Sequence, residues 1–252
     1  MKYILPYKTA SKSARALSEA LNYPILGADI DLIRGKESIT IINWGKGAVG
    51  SEHKKCRMIN KPEAICLAVN KIDTFKKLQE AGVSHPAWTT SKATAAAWLT
   101  EQPICVRTTA EGRDGEGLLL IKEHKTDWFG RSLTLPDAAL YTKFIKARSE
   151  YRVNVCNNRT VGVQLKVPTG TNPNHDIKTG GNGYGFRLLS EAEIPHGIRP
   201  VARAAITALG LDFGGVDLIV GVDGTAYVLE VNTAPELTPA MVTAYANALR
   251  SM

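Results

Sequence analysis

Apolar and polar positions alternate most regularly near the end of the chain, where the runs 216–220 and 226–231 flank Asp223-Gly224. An Asp-Gly pair between two such runs predicts a β-hairpin with a two-residue type I′ turn. That turn sets Asp217 directly opposite Glu230, with Cβ atoms about 4.5–5.5 Å apart. Asn232, two residues on, points to the same face. Leu218, Val220, Leu229 and Val231 occupy the other face and suit a core. A second hairpin is predicted over 150–166. A three-residue loop at Asn157-Asn158-Arg159 pairs Val155 with Val161, Val153 with Val163 and Tyr151 with Leu165, gathering apolar residues on one face. Glu150, Arg152, Gln164 and Lys166 then share the other.

Helical spacing recurs elsewhere. Ala14, Leu17 and Leu21 follow the cap candidates Ser11 and Ser13. Ile65, Ala68, Ile72, Phe75 and Leu78 predict a helix, or a broken pair, over 61–80, with Asn60 as cap, Pro62 at its first turn and Gly82 as its stop. Trp98 and Leu99 lie on the apolar side of a helix capped by Ser91. Helices are also predicted over 194–209, ended by Gly210, and over 239–250. Short strands are predicted over 2–7, 38–44, 83–89, 104–108, 118–122 and 141–145. This mixture predicts an α+β or α/β fold.

Composition narrows the partners. The chain has 252 residues, 44% of them hydrophobic, and a net charge of +7. That charge invites an anionic partner: ATP, an acidic substrate or nucleic acid. It is spread along the chain, which makes nucleic acid unlikely. Cys56, Cys66, Cys105 and Cys156 are scattered and read as small buried residues in a reducing compartment. The five histidines lack metal-ligand spacing. With no 18-residue apolar run and no signal-like N-terminus, the expectation is a cytoplasmic protein without a membrane span.

The chemistry gathers on a few polar positions. Facing carboxylates at 217 and 230 repel each other unless a cation neutralises them. Two carboxylates and an amide are hard oxygen donors that suit Mg²⁺, with phosphates completing its shell. The pair therefore reads either as a Mg²⁺–nucleotide site or as an acidic pair at a sheet end. The 150–166 polar face reads as an active-site floor or as the wet side of an antiparallel sheet. In the loop 108–117, Gly112, Gly115 and Gly117 let backbone N–H groups approach an anion closely, although no Walker sequence is present. The long Gly/Asn-rich stretch 169–185 holds Lys178, Asn182 and Arg187, candidates for substrate or phosphate contact. Residues 43–47 form a loop at the carboxyl end of a strand, where open α/β sheets bind ligands.

Gly-Val-Asp, a hairpin, then Leu-Glu-Val-Asn-Thr-Ala-Pro-Glu-Leu resembles the C-terminal signature of the ATP-grasp superfamily, in the manner of the ribosomal-protein glutamate ligases and D-alanine–D-alanine ligases. The resemblance covers roughly 66–250. It implies that Asp217, Glu230 and Asn232 hold Mg²⁺ on ATP. Lys71, in an Asp-Lys-like helix start, and Arg107, where the family usually has lysine, would touch phosphates. Glu111, Gly112, Gly115 and Gly117 would belong to the loop that closes over them. Lys143, Phe144 and Ile145 would occupy the adenine linker, and Glu150 would hold the ribose. Arg152 would stabilise a transferring phosphoryl or acyl-phosphate oxygen, and Lys166 would do the same or bind a substrate carboxylate.

The resemblance further implies two α+β lobes sandwiching ATP: a small lobe at 66–140 and a C-terminal lobe at 141–252, after a short α/β segment at 1–65. The implied activity is an ATP-dependent carboxylate–amine ligase working through an acyl phosphate on small-molecule or peptide carboxylate and amine acceptors. The alternatives are a nucleotide-binding protein without ligase activity and an ATP-grasp kinase. Dimers are common in the family, so the resemblance also allows a homodimer.

Overall fold

The computed structural model describes residues 1–27, 38–51, 53, 56–112, 115–123, 135–170, 173–175 and 177–252. Arg113 and Asp114, in the middle of the Gly-rich loop, lie outside this set.

The chain starts with a parallel sheet of β1 (Lys2–Pro6), β2 (Thr40–Trp44) and β3 (Arg57–Ile59), with β2 in the centre. Both faces are apolar, as parallel strands require. Ile4, Ile42, Trp44 and Ile59 pack against Ala14, Leu17 and Leu21 of α1 (Lys12–Leu21). Tyr3, Leu5, Ile39 and Ile41 form a small cluster on the other side. Ser11 caps α1, accepting the Ala14 N–H at 3.3 Å.

The single helical period over 61–80 breaks into α2 (Pro62–Val69) and α3 (Lys71–Glu80). Asn70 causes the break. Its backbone is extended, and its side chain accepts the N–H groups of Ile72 and Asp73 at 3.0 and 3.2 Å, starting a new helix. Asn60 is not the cap of α2; Lys61 takes that position with no side-chain bond. Asn60 instead adopts φ 61° and ties its buried amide to the backbone of Asp212 and Phe213.

A four-stranded antiparallel sheet follows, in the order β4 (Trp88–Thr89), β7 (Leu140–Lys143), β5 (Ile104–Arg107), β6 (Leu118–Ile121). With α4 (Lys92–Leu99) it encloses its own core of Ala95, Leu99, Ile104, Val106, Leu135 and Tyr141.

The largest sheet runs β10 (Tyr184–Leu188), β9 (Arg159–Pro168), β8 (Ala147–Cys156), β11 (Phe213–Gly221), β12 (Ala226–Asn232), all antiparallel. One face, with Val153, Val155, Val163, Val216 and Leu218, packs against α5 (Ile198–Ala208) and against α2 and α3. By packing, α2 and α3, which fall largely in the small lobe expected at 66–140, thus share the core of this sheet. The opposite face is covered at one end by α6 (Pro239–Arg250) and the N-terminal sheet, where Trp44, Phe213 and Tyr245 stack. Its other end stays polar.

Both hairpin turns differ from expectation by one residue, in opposite directions. Asn157 and Asn158 both adopt positive φ, 51° and 54°, and make the tight two-residue turn expected of 223–224. Val222-Asp223-Gly224 make a three-residue loop, closed by Gly221 N–H to Thr225 O at 2.9 Å and Gly224 N–H to Gly221 O at 3.0 Å. A type I′ turn needs two left-handed residues, and here only Gly224 supplies one, at φ 83°. Asp223 instead accepts the Thr225 N–H with its side chain. A β-bulge in each hairpin restores the register. Leu229 is the extra residue in the first, so Val228 rather than Leu229 is buried; Val161 is extra in the second and does not pair with Val155. Past the bulges Asp217 pairs with Glu230, and Val153 with Val163, as the sequence predicts.

Candidate functional site

The polar end of the large sheet is a row of directly opposed residues: Gln164 on β9, Arg152 on β8, Asp217 on β11 and Glu230 on β12. Pairing makes them neighbours and pleating puts them on one face. The Arg152 guanidinium meets the Asp217 carboxylate in a fork, Nε to Oδ1 at 2.6 Å and Nη2 to Oδ2 at 2.7 Å. Asn232 bridges the two acids, its Nδ2 donating at 3.3 Å to both Asp217 Oδ2 and Glu230 Oε1.

Lys71, at the start of α3, is 6% exposed. Its Nζ lies 3.5 Å from Glu230 Oε2 and donates to the Gly112 carbonyl at 3.0 Å. Its backbone N–H holds Ala110 O at 3.0 Å. One residue therefore joins the Gly-rich loop to an acid of the large sheet. One register step along, Lys166 pairs with Glu150 and donates to the Lys178 carbonyl at 2.8 Å.

Charge here is mutually compensated. Burial alone would raise the Glu230 pKa, but Lys71, Arg107 and Arg152, helped by the Asn232 amide, outweigh it and hold the carboxyl below its usual value. Burial depresses the pKa of Lys71 and of Arg107, against the opposing pull of Glu230. It also works against the Arg152 charge, yet Asp217 overcomes it and the Arg152 pKa rises. Glu150 is raised by burial, partly offset by Lys166.

Three cations (Lys71, Arg107, Arg152) thus surround two acids. Among the described residues no three His, Cys, Asp or Glu side chains cluster as a metal site. The donors are two carboxylates and an amide. Such oxygens suit Mg²⁺, and the surplus positive charge suits Mg²⁺ arriving with a polyphosphate better than the bare ion. Turning the Asn232 amide would present its oxygen in place of its NH₂.

The remaining predicted positions divide. Gly115 (φ 79°) and Gly117 (φ 67°) take left-handed conformations, and a Cβ on Gly115 would stand 2.8 Å from Thr179 Cγ2. The Gly-rich loop of the small sheet therefore touches the 177–182 segment of the large one. Glu111 is exposed on that loop, its N–H held by Thr109. Asn182 braces the facing segment, donating to Ile177 O at 2.7 Å, and Lys178 joins the cluster through its carbonyl. Arg187 is not brought in. It pairs across from Leu165, on the face opposite Lys166, and is exposed in an ion pair with Glu193 at 2.8 Å.

In the linker, the Lys143 side chain turns to α4, 3.3 Å from Glu101 and over the Trp98 ring. The Phe144 N–H donates to Pro103 O, and its carbonyl accepts from Gln102, while Ile145 is half-buried. Burial pushes the Cys105 thiol up to about 11 and the Cys156 thiol up to about 12, so neither is a nucleophile near neutral pH. Cys66, expected to be buried, is exposed.

Residues 68–237 match the family model described as an ATP-grasp domain. The chain belongs to the ATP-grasp family. It is 29% identical over 192 residues to human beta-citrylglutamate synthase B, covering 72% of this chain and 48% of that one. It is 28% identical over 189 residues to the tetrahydromethanopterin:alpha-L-glutamate ligase of Methanocaldococcus jannaschii, covering 71% of this chain and 62% of that one. The chain thus spans about half to two thirds of these relatives' length. Among solved structures, the ATP-grasp ligase PsnB in complex with minimal precursor, Mg and ADP superposes with a TM-score of 0.70 at 14% identity, covering 99% of this chain and 96% of that one. That likeness shows the fold. The ATP-grasp architecture and its mixed α+β class, expected from the 210–238 signature, are those of the protein.

Two side chains of this ATP-grasp site, Phe186 and Tyr245, were not legible in the chain. The Phe186 ring lies 4.3 Å from the Arg152 guanidinium carbon and 5.6 Å from Lys166 Nζ. Only the β9–β10 register, which sets Phe186 opposite Lys166, reveals it. Beneath Arg152, fully buried Asn154 donates to Gln164 Oε1 at 2.9 Å, and its own oxygen accepts from Tyr245 at 3.2 Å. Asn154 and Gln164 do follow the predicted alternation, but Tyr245 read as plain helix core. No helix of the described residues is long and apolar enough to cross a membrane.

Proposed function

We propose that the protein is an ATP-dependent ligase that joins a carboxylate to an amine through an acyl phosphate. The observation that carries this reading is the compensated row Arg152–Asp217–Glu230, closed by Asn232 and Lys71, in an ATP-grasp chain. Asp217, Glu230 and Asn232 would hold Mg²⁺, which when bound neutralises charge on the phosphates of ATP. Lys71 and Arg107 bind and orient the polyphosphate. The Gly-rich loop and the 177–182 segment, already in contact, exclude water from it. Glu150 and the 143–145 linker take the nucleoside end.

The substrate carboxylate oxygen attacks the terminal phosphorus. The bond to the bridging oxygen breaks, and ADP leaves with that electron pair. Arg152, with N–H groups left beyond those given to Asp217, faces the charge on the transferring group. The amine then attacks the acyl carbon, inorganic phosphate departs and the amine proton is lost. Both sequence relatives are named for joining glutamate, which supports an amino acid as the amine. The cytoplasm, where ATP is abundant, is the proposed location.

The test is an isotope transfer. A panel of ¹⁸O-carboxylate substrates is incubated with ATP and amino acids, and phosphate is analysed by mass. The expected result is one ¹⁸O per inorganic phosphate, formed only when both acceptors are present. ADP formation with a stable phosphorylated hydroxyl product would identify a kinase and overturn the proposal.

A further inference from the structure

Among the described residues, the carboxyl end of the N-terminal parallel sheet gathers lysines. Lys8 lies two residues past β1, Lys46 two past β2 and Lys61 two past β3, while Lys12 opens α1 at the same edge. All four are exposed, and none has a carboxylate partner among the described residues. Asp212, Glu63 and Glu236 are acids on the adjoining described segments; the Asp212 carboxylate accepts the Asn60 N–H at 2.6 Å beside Lys61, and none of the three forms an ion pair with these lysines.

The edge is built, not frayed. The Tyr7 N–H donates to Trp44 O at 2.9 Å, extending the β1–β2 ladder to the level where Lys8 and Lys46 leave it. Fully buried Asn43 grips the Lys46 backbone from both sides, accepting its N–H at 2.9 Å and donating to its carbonyl at 3.0 Å. Between them Gly45, at φ 86°, lies so close to the large lobe that a Cβ would stand 2.7 Å from the Ala234 Cβ. Ala234 follows Asn232 by two residues, so this edge abuts the site.

Topology singles out the same place. Ile4 on β1 has Ile25 on one side and Ile42 on the other, so the chain winds outward from β1 in both directions. The crevice outside the carboxyl ends of strands at such a switch point is where open α/β sheets bind ligands. Strands lie about 4.8 Å apart, so the three lysine-bearing ends span about 10 Å. One carboxylate would not engage them all.

We propose that this edge binds the acceptor through several carboxylates, making the substrate a polycarboxylate. The inference rests on the ligase reading for the acceptor's role, but its test needs no turnover. A fluorescent tetraglutamate peptide is titrated with the full chain in 50 and 200 mM salt, beside tetraglutamine. The wild type is expected to bind tetraglutamate alone, more weakly at high salt.

Lys8→Gln, Lys46→Gln and Lys61→Gln should each weaken binding about two- to threefold, and the triple variant about tenfold or more, with ATP affinity unchanged. Displacement by tricarballylate marks a small polycarboxylate as the source, and displacement by the peptide alone marks an acidic chain; either result supports the site. Equal binding of the two peptides, or equal tetraglutamate affinity in wild type and the three single variants, overturns it. Failure of the ligase reading shows separately, as absence of acceptor-dependent phosphate release.

Discussion

At the scale of residues, the site is organised by the Arg152–Asp217 fork. Both side chains are nearly excluded from water, and a buried charge is tolerable only when paired. Arg152→Met leaves the Asp217 charge without its partner and should lower unfolding stability by about 3–5 kcal/mol in urea titrations. Adding Asp217→Leu to that variant should recover most of the loss, because neither charge then remains. A loss below about 1 kcal/mol in the single variant would show that the pair is effectively solvated.

The sequence made both residues legible, because strand alternation puts them on polar faces. It did not reveal that they meet. That contact depends on β8 lying beside β11, a pairing between strands far apart in the chain. Arg187 shows the converse: a cation in a suggestive stretch lands on the wrong face, because alternation along β10 gives the site to Phe186.

At the scale of elements, the two hairpins carry the lesson. Each turn differs by one residue from the length its sequence predicts, which by itself would send Asp217 or the 150–166 polar set to the wrong face. A bulge beside the site corrects each. Hydrophobic alternation therefore fixed the register over the site more firmly than turn chemistry did. The bulge at Leu229 was illegible because Val228 and Leu229 are both apolar, so alternation does not say which of the two is the extra residue. The break at Asn70 was half-visible: a broken pair was one of the two readings, and the cap geometry decides it.

The contact between the Gly-rich loop and the 177–182 segment is also an element-level feature. Gly115→Ala introduces a Cβ at positive φ, 2.8 Å from Thr179. It should raise the KM for ATP about tenfold or more with little change in thermal stability, since a loss of roughly 1.4 kcal/mol in binding is tenfold. An unchanged KM would mean that the loop does not approach the nucleotide.

At the scale of the molecule, three sheets converge on one polar surface. The large sheet supplies the acids, the small sheet the loop, and the break before α3 the lysine that joins them. The N-terminal sheet abuts the segment past Asn232. The family was legible from the 210–238 signature alone, because that stretch contains a hairpin, its acids and the following turn without interruption. The assignment of α2 and α3 to the core of the large sheet was not, since apolar periodicity says which face is buried but not against what. We propose that Asp217, Glu230 and Asn232 serve Mg²⁺-ATP. This is tested most directly by Mg²⁺-dependent ATP binding and acceptor-dependent ADP release, comparing wild type with Glu230→Gln. Wild type should bind and turn over ATP only with Mg²⁺, and Glu230→Gln, still folded, should lose turnover by at least about 100-fold. Equal turnover in the variant, or ATP binding indifferent to Mg²⁺, would contradict it.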